Sequence, residues 1–235
     1  MSCPRRRRRW PARELAAAVA ALPLALSGCT GSLFKSKEPP QSVYLLTAAP
    51  APAPAPAPAA VPTSVPVSAG APIPVDLTVL RPQVRRGLDS TLIEALYPDR
   101  RLDHFAGAHW SGPLDEVLQD FAVQAFRADA RVQNVHTDAS AFGTGYWLEM
   151  DVTDFQAEYS VPKDAGDSGP PTIHVHLVAR LGTSGDRRVV GQFEADVREP
   201  AADNRLTAIV QAYNRAASAA LGRIVADTDQ TLARP

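Results

Sequence analysis

Few side chains in this sequence have the type and spacing to do chemistry. The first is the thiol of Cys29, which closes the run Leu26-Ser27-Gly28-Cys29. A thiolate is a nucleophile, and small neighbours leave it open to a modifying enzyme. The second group is His174 and His176, with Arg180 four residues on. Imidazoles two apart on a strand share a face, and with carboxylates they make the donor set of a metal site. The flanking segments supply Glu149 and Asp151 on one side and Glu194 and Asp196 on the other. The same residues also fit ion pairs across neighbouring strands, each worth ~0.2–1 kcal/mol. No further ligand spacing supports a metal, so ion pairing is the expected arrangement. Trp147 falls on the same outer face. It is a candidate contact for another subunit or protein, or a ring lying over its own neighbours.

The surroundings of Cys29 explain the thiol. Arg5 to Arg9 form a basic block, and Leu15 to Leu26 is an apolar run broken only by Pro23. A basic start, an apolar core and small residues before a cut site make a secretory signal peptide over residues 1–28. The run falls short of the ~20 residues that span a bilayer. Leu26 to Cys29 resembles the bacterial lipobox, where the thiol receives a diacylglycerol, the chain is cut between Gly28 and Cys29, and the new amine is acylated. Three acyl chains exceed the two signals that stable anchoring needs. Cutting there also removes Cys3, the other cysteine, and with it any disulfide. The thiol is thus expected to be an anchor, with no redox or metal role. Thr30 stands where an aspartate would hold a lipoprotein in the inner membrane, so the outer membrane is the expected address. The arginine block loosely resembles a twin-arginine signal, but Pro11 sits where a hydrophobic residue is wanted.

The chain has 24 Lys+Arg and 25 Asp+Glu; removing the leader's six arginines and one glutamate leaves it net −6. That charge suits a soluble periplasmic domain and argues against nucleic-acid binding, which wants a basic surface. Residues 29–42 read as the lipidated cysteine and a polar tether. Ser32 and Lys35 match an S-x-x-K pattern whose partner motifs are absent. Val43 to Leu46 is a short apolar run suited to a strand. Ala48 to Pro62 is alanine and proline except for Val61. Proline denies it helix and sheet, so residues 47–70 read as an extended arm. Composition leaves open whether Val43 to Leu46 belongs to the folded domain or to the tether.

From residue 71 to 235 the pattern is globular. Ile73, Val75, Leu77 and Val79 alternate as in a strand with one buried face, and Arg81-Pro82 ends it. Short strands are expected at Thr91–Leu96, Leu102–Ala106 and Arg131–His136. A helix should run from Pro113 to Ala128, with Pro113 at its first position. Three long strands follow, carrying Tyr146 to Val152, Ile173 to Leu181 and Val189 to Val197, the last two joined by a Gly182–Asp186 hairpin. Gly166 to Pro171 reads as an exposed loop. A final amphipathic helix carries Leu206, Ile209, Tyr213, Leu221 and Ile224, capped by Asp203 or Asn204. Each strand is apolar on one face, so the expected fold is α+β: a mostly antiparallel sheet with both helices packed on one face, a two-layer sandwich.

Enzyme signatures are absent. No phosphate-binding loop and no nucleophile elbow occur, and Gly143-Thr144-Gly145 lacks the third glycine of a dinucleotide loop. The chain is not expected to be an enzyme or to hold a cofactor.

Four features in order resemble the ABC-type transport auxiliary lipoproteins. They are the lipobox at Cys29; Tyr44-Leu45-Leu46 followed by Ala/Pro; the block Arg101 to Phe126 (RLDHFAGAHWSGPLDEVLQDFAVQAF); and Phe193 to Val197 with Ile209 to Thr228. The resemblance implies that Val43 to Leu46 is the first strand of the domain. It implies a non-enzymatic adaptor for lipid transport between the two membranes of a Gram-negative cell. The implied partners are an MCE-domain protein, a permease and an ATPase, with a homo-oligomeric ring as a further expectation. A module that itself carries a lipid is the alternative, and an envelope enzyme a more remote one. Trp110 lies within the second block and is expected to pack beside the first helix rather than touch lipid.

Overall fold

A computed structural model describes residues 41–47, 71–140, 144–165 and 169–234. The expectations for the leader, Cys3, Gly28, Cys29, Thr30, the Ser32/Lys35 pair, Ala48 to Pro62, Gly143 and Gly166 fall outside these residues. The described elements, in chain order, are β1 (Ser42–Tyr44), β2 (Ile73–Val79), β3 (Gln83–Val84), β4 (Leu92–Leu96), β5 (Leu102–Trp110), α1 (Leu114–Asp129), β6 (Val132–Thr137), β7 (Tyr146–Glu158), β8 (Thr172–Thr183), β9 (Val189–Pro200) and α2 (Leu206–Leu232).

The nine strands make one sheet organised around β7. Along one side β7 pairs in turn with β2, β3 and β4, all parallel. Along the other it pairs antiparallel with β8, which pairs antiparallel with β9. Beyond β2 lies β6, parallel to it; beyond β4 lie antiparallel β5 and then parallel β1.

The expectation of a mostly antiparallel sheet is therefore wrong. The sheet is mixed, and five of its eight strand pairings are parallel. Period-2 alternation reports which face of a strand is buried, not the direction of its neighbour. Parallel partners need a crossover, and between β2 and β6 the chain makes one through β3, β4, β5 and α1. The α+β class holds.

The one-sidedness of the strands is clear. Leu148, Met150 and Val152 on β7, Ile173, Val175, Leu177 and Leu181 on β8, and Ala195 and Val197 on β9 are buried in one core. Helix α1 adds Leu114, Leu118, Phe121 and Phe126 to that core, and α2 adds Ile209, Tyr213, Leu221 and Ile224. Helix α2 lies against β8 and β9, α1 against β6, and the helices touch each other. At the centre, Trp110 meets Phe155 and Tyr213 edge-on at 5.9 and 5.3 Å, and the Tyr213 hydroxyl donates to the Glu94 carbonyl at 2.7 Å. Trp110 is thus a buried core aromatic, 3% exposed. Aromatic pairs of this geometry add about 0.5–1.5 kcal/mol beyond their area.

Several boundaries differ from expectation for local reasons. Pro113 takes the N-cap position and helix α1 begins at Leu114. Helix α2 is preceded by Arg205, with no side-chain cap. Asn204 instead accepts a hydrogen bond from the Tyr159 hydroxyl at 2.8 Å. Strand β5 runs on to Trp110 through Gly107, which takes φ 71. A left-handed residue there breaks the alternation without ending the strand.

Strand β1 belongs to the sheet, with Tyr44 opposite Trp110. Leu46 is buried at 6%, and the Thr47 amide donates to Asn214 of α2 at 2.8 Å. Among the described residues no helix is long and apolar enough to cross a membrane.

Candidate functional site

The outer face of β7, β8 and β9 gathers the charged residues. Because β8 is central, its outward side chains stand between two rows of acids. Arg180 donates to Glu149 at 3.1 Å and to Asp151 at 2.7 Å. His174 has Glu158 2.9 Å from Nδ1 and Asp196 3.1 Å from Nε2. His176 has Glu194 2.9 Å from Nε2 and the Thr153 hydroxyl 2.7 Å from Nδ1. The two rings are parallel, 6.4 Å apart. Arg198 of β9 pairs with Glu158 and lies 3.2 Å from His174 Nδ1.

Glu149, Asp151, Glu194 and Asp196 thus flank β8 as their spacing predicts. Asp154 and Glu158 were not predicted. The alternation read from the sequence stops at Val152, where a bulge inserts Thr153 opposite β8. Past the bulge Phe155 and Ala157 face the core, and Asp154, Gln156 and Glu158 face out. A strand that changes phase is illegible to a strict period of two. The signal available was Phe155 and Ala157, an apolar pair out of step with Val152.

The electrostatics follow. Burial works against the charge on Asp154, but the hydrogen bond from the Gln156 amide and the neighbouring His174 outweigh it and hold the carboxyl below its usual range. Glu158 is likewise opposed by burial and held low by Arg198 and His174. Asp154, Glu158 and His174 bring ligand atoms within 4.8 Å of one another, and they are the described residues that could hold a metal ion. An ion there would have to displace the Arg198 guanidinium. Most of the donor atoms are engaged in the ion-pair lattice.

Trp147 lies at the other end of this face. Its ring covers Gly182 on β8, where an added Cβ would come within 2.1 Å of the indole. Its Nε1 donates to the Thr183 carbonyl at 3.2 Å. The remaining edge, with Thr78, Leu80, Asp138, Thr144 and Arg187, lines an open groove of about 540 Å³. The ring is half-buried against its own strands and half-available from the groove.

A mixed sheet branching from one long strand, covered on one face by two helices and charged on the other, defines the class of domain. The chain belongs to the ABC-type transport auxiliary lipoprotein component family, whose model matches residues 44–225. It is similar to protein XCC0632 from Xanthomonas campestris, at 26% identity and a TM-score of 0.63 over 81% of this chain and 96% of that one. A second solved structure, of an uncharacterised protein, shares the fold at 14% identity and a TM-score of 0.55, over 81% of this chain and 99% of that one. A search of curated proteins found no match.

Proposed function

We propose that this chain is a lipid-anchored adaptor, held by Cys29 in the periplasmic leaflet of the outer membrane. There it docks the MCE-domain protein of an ABC transporter whose permease and ATPase move lipid between the membranes. The observation that carries the reading is the family match over residues 44–225, joined to the lipobox that ends at Cys29. The domain does no chemistry in this scheme: it supplies an anchored surface, and hydrolysis in the ATPase supplies the work. Trp147 is the proposed contact. An aromatic edge open to a groove is the type of residue that dominates interfaces.

In cells fed labelled palmitate, the parent chain should take up label and sediment with the outer membrane. Cys29→Ser should lose both the label and the address. A photo-cross-linker at Trp147 should capture an MCE-domain protein. Recovery of only peptidoglycan or outer-membrane barrel components would sink the adaptor reading.

A further inference from the structure

A pocket of about 340 Å³ opens between the turn before β4, the β4–β5 hairpin and the outer ends of β7 to β9. Its apolar lining is Leu88, Leu96 and Leu102, the last 41% exposed. Its polar lining includes four guanidinium groups, from Arg85, Arg86, Arg100 and Arg198. Facing them are two carboxylates, Asp154 and Glu158, both already engaged. Arg198 is satisfied by Glu158. Arg85 reaches only 3.9 Å from Asp154, with 62% of its side chain exposed. Among the described residues neither the Arg86 nor the Arg100 side chain has an ion-pair partner. In a chain of net negative charge, this pocket carries a local surplus of positive charge.

The backbone holds these arginines deliberately placed. Arg86 sits in a turn closed by the Leu88 amide on the Arg85 carbonyl at 3.0 Å, with Gly87 at φ 96. The Arg85 amide ties that turn to Val152 of β7 at 3.0 Å. Arg100 sits in the hairpin closed by the Tyr97 amide on the Arg101 carbonyl, and takes φ 67. That left-handed conformation suits glycine, and an arginine there is strained. The hairpin turn itself demands that conformation, and the Arg100 side chain makes no hydrogen bond or ion pair within the described residues.

We propose that this pocket binds the phosphate headgroup of a lipid. The guanidinium groups of Arg86 and Arg100, with Arg85 beside them, would donate forked, charge-assisted hydrogen bonds to the phosphate oxygens. The exposed flank of Leu102, with Leu88 and Leu96, would take the first carbons of the acyl chains. Unpaired cations beside the exposed Leu102 and half-buried Leu96 match a ligand that is anionic at one end and apolar at the other. The inference deepens the lipid-transport reading by naming the ligand, but it does not need a docked transporter, so binding and cross-linking can fail separately.

The test is calorimetric titration of the full lipidated chain, in a non-ionic detergent, with dihexanoylphosphatidic acid. Glycerol 3-phosphate, inorganic phosphate and dihexanoylglycerol are run beside it. Saturable one-to-one binding is expected, weakened about tenfold or more by Arg86→Gln and by Arg100→Gly, since each removes a charge-assisted bond. Arg100→Gly relieves the strained φ, so its melting temperature should stay equal or rise, which separates lost binding from lost folding. Absence of binding, or binding unchanged in both variants, would overturn the proposal. Inorganic phosphate binding as tightly as the lipid would mark a free-anion site, and dihexanoylglycerol binding as tightly would mark an apolar patch; either result refutes a lipid-headgroup site.

Discussion

Gly182 has no side chain, and the indole of Trp147 fills the space a side chain would need. An alanine there would place its Cβ 2.1 Å from the ring, inside any allowed contact. The ring would have to swing outward and give up its bond to Thr183. Gly182→Ala should cost about 1–3 kcal/mol, the usual penalty for overpacking. A lower melting temperature together with red-shifted tryptophan emission would report it. If emission shifts while stability holds, the ring is not braced by β8. At this scale the sequence exposed the two histidines, Arg180 and the four acids that pair with them, because alternation assigns neighbours to faces. Asp154 and Glu158 lay hidden behind the bulge at Thr153. The arginine pocket was hidden for another reason: its members come from two turns and β9, far apart in sequence and joined only by the tertiary fold.

Helices α1 and α2 meet around a buried acid. Asp229 of α2 is 1% exposed, and Arg131, just past α1, approaches it at 3.6 Å. One carboxylate oxygen of Asp229 and one of Asp129 are buried without a hydrogen-bond partner. Burial, with Asp129 as a neighbouring acid, pushes Asp229 up to about 7, against the pull of Arg131. The sign follows from proton counting. Between the usual carboxyl range and pH 7 the folded state keeps a proton that the unfolded chain releases, so stability falls as pH rises through that window. Above about 7 the slope levels off. Asp229→Asn should flatten this dependence and raise stability above pH 7 by on the order of 1 kcal/mol. Denaturant midpoints from pH 4 to 8 would show it, and parallel curves for parent and variant would refute it. The stripes that make both helices amphipathic were legible in the sequence. The meeting of Asp129 and Asp229 was not, since residues 100 apart are brought together only by the helix crossing. Strand direction was lost in the same way: alternation located the buried faces of β7, β8 and β9, but the parallel partners of β7 come from chain path alone.

For the whole molecule, the joint where the chain enters the sheet matters most. Eleven residues separate Cys29 from Gln41, a reach of at most ~40 Å, so the proposed lipid at Cys29 would keep the domain close to its membrane. The joint itself is β1, with Tyr44 beside Trp110 and Leu46 in the core. Leu46→Ala should cost about 2–4 kcal/mol, as for other buried leucines. It should also speed proteolysis near residue 47 more than elsewhere, measurable by limited digestion and mass spectrometry. Uniform digestion would mean that β1 melts only with the whole domain.

Strand β1 has three residues and, among the described residues, a single neighbour, whereas β2 is gripped on both sides by β6 and β7. A pull on the chain ahead of Gln41 therefore reaches this weakly paired strand first. To release it, the pairing with β5, the buried Leu46 and the Thr47–Asn214 bond must all be lost, while β2 to β9 can stay paired. Pulled from its leading end, the domain would therefore shed one edge strand before the rest of its sheet gives way.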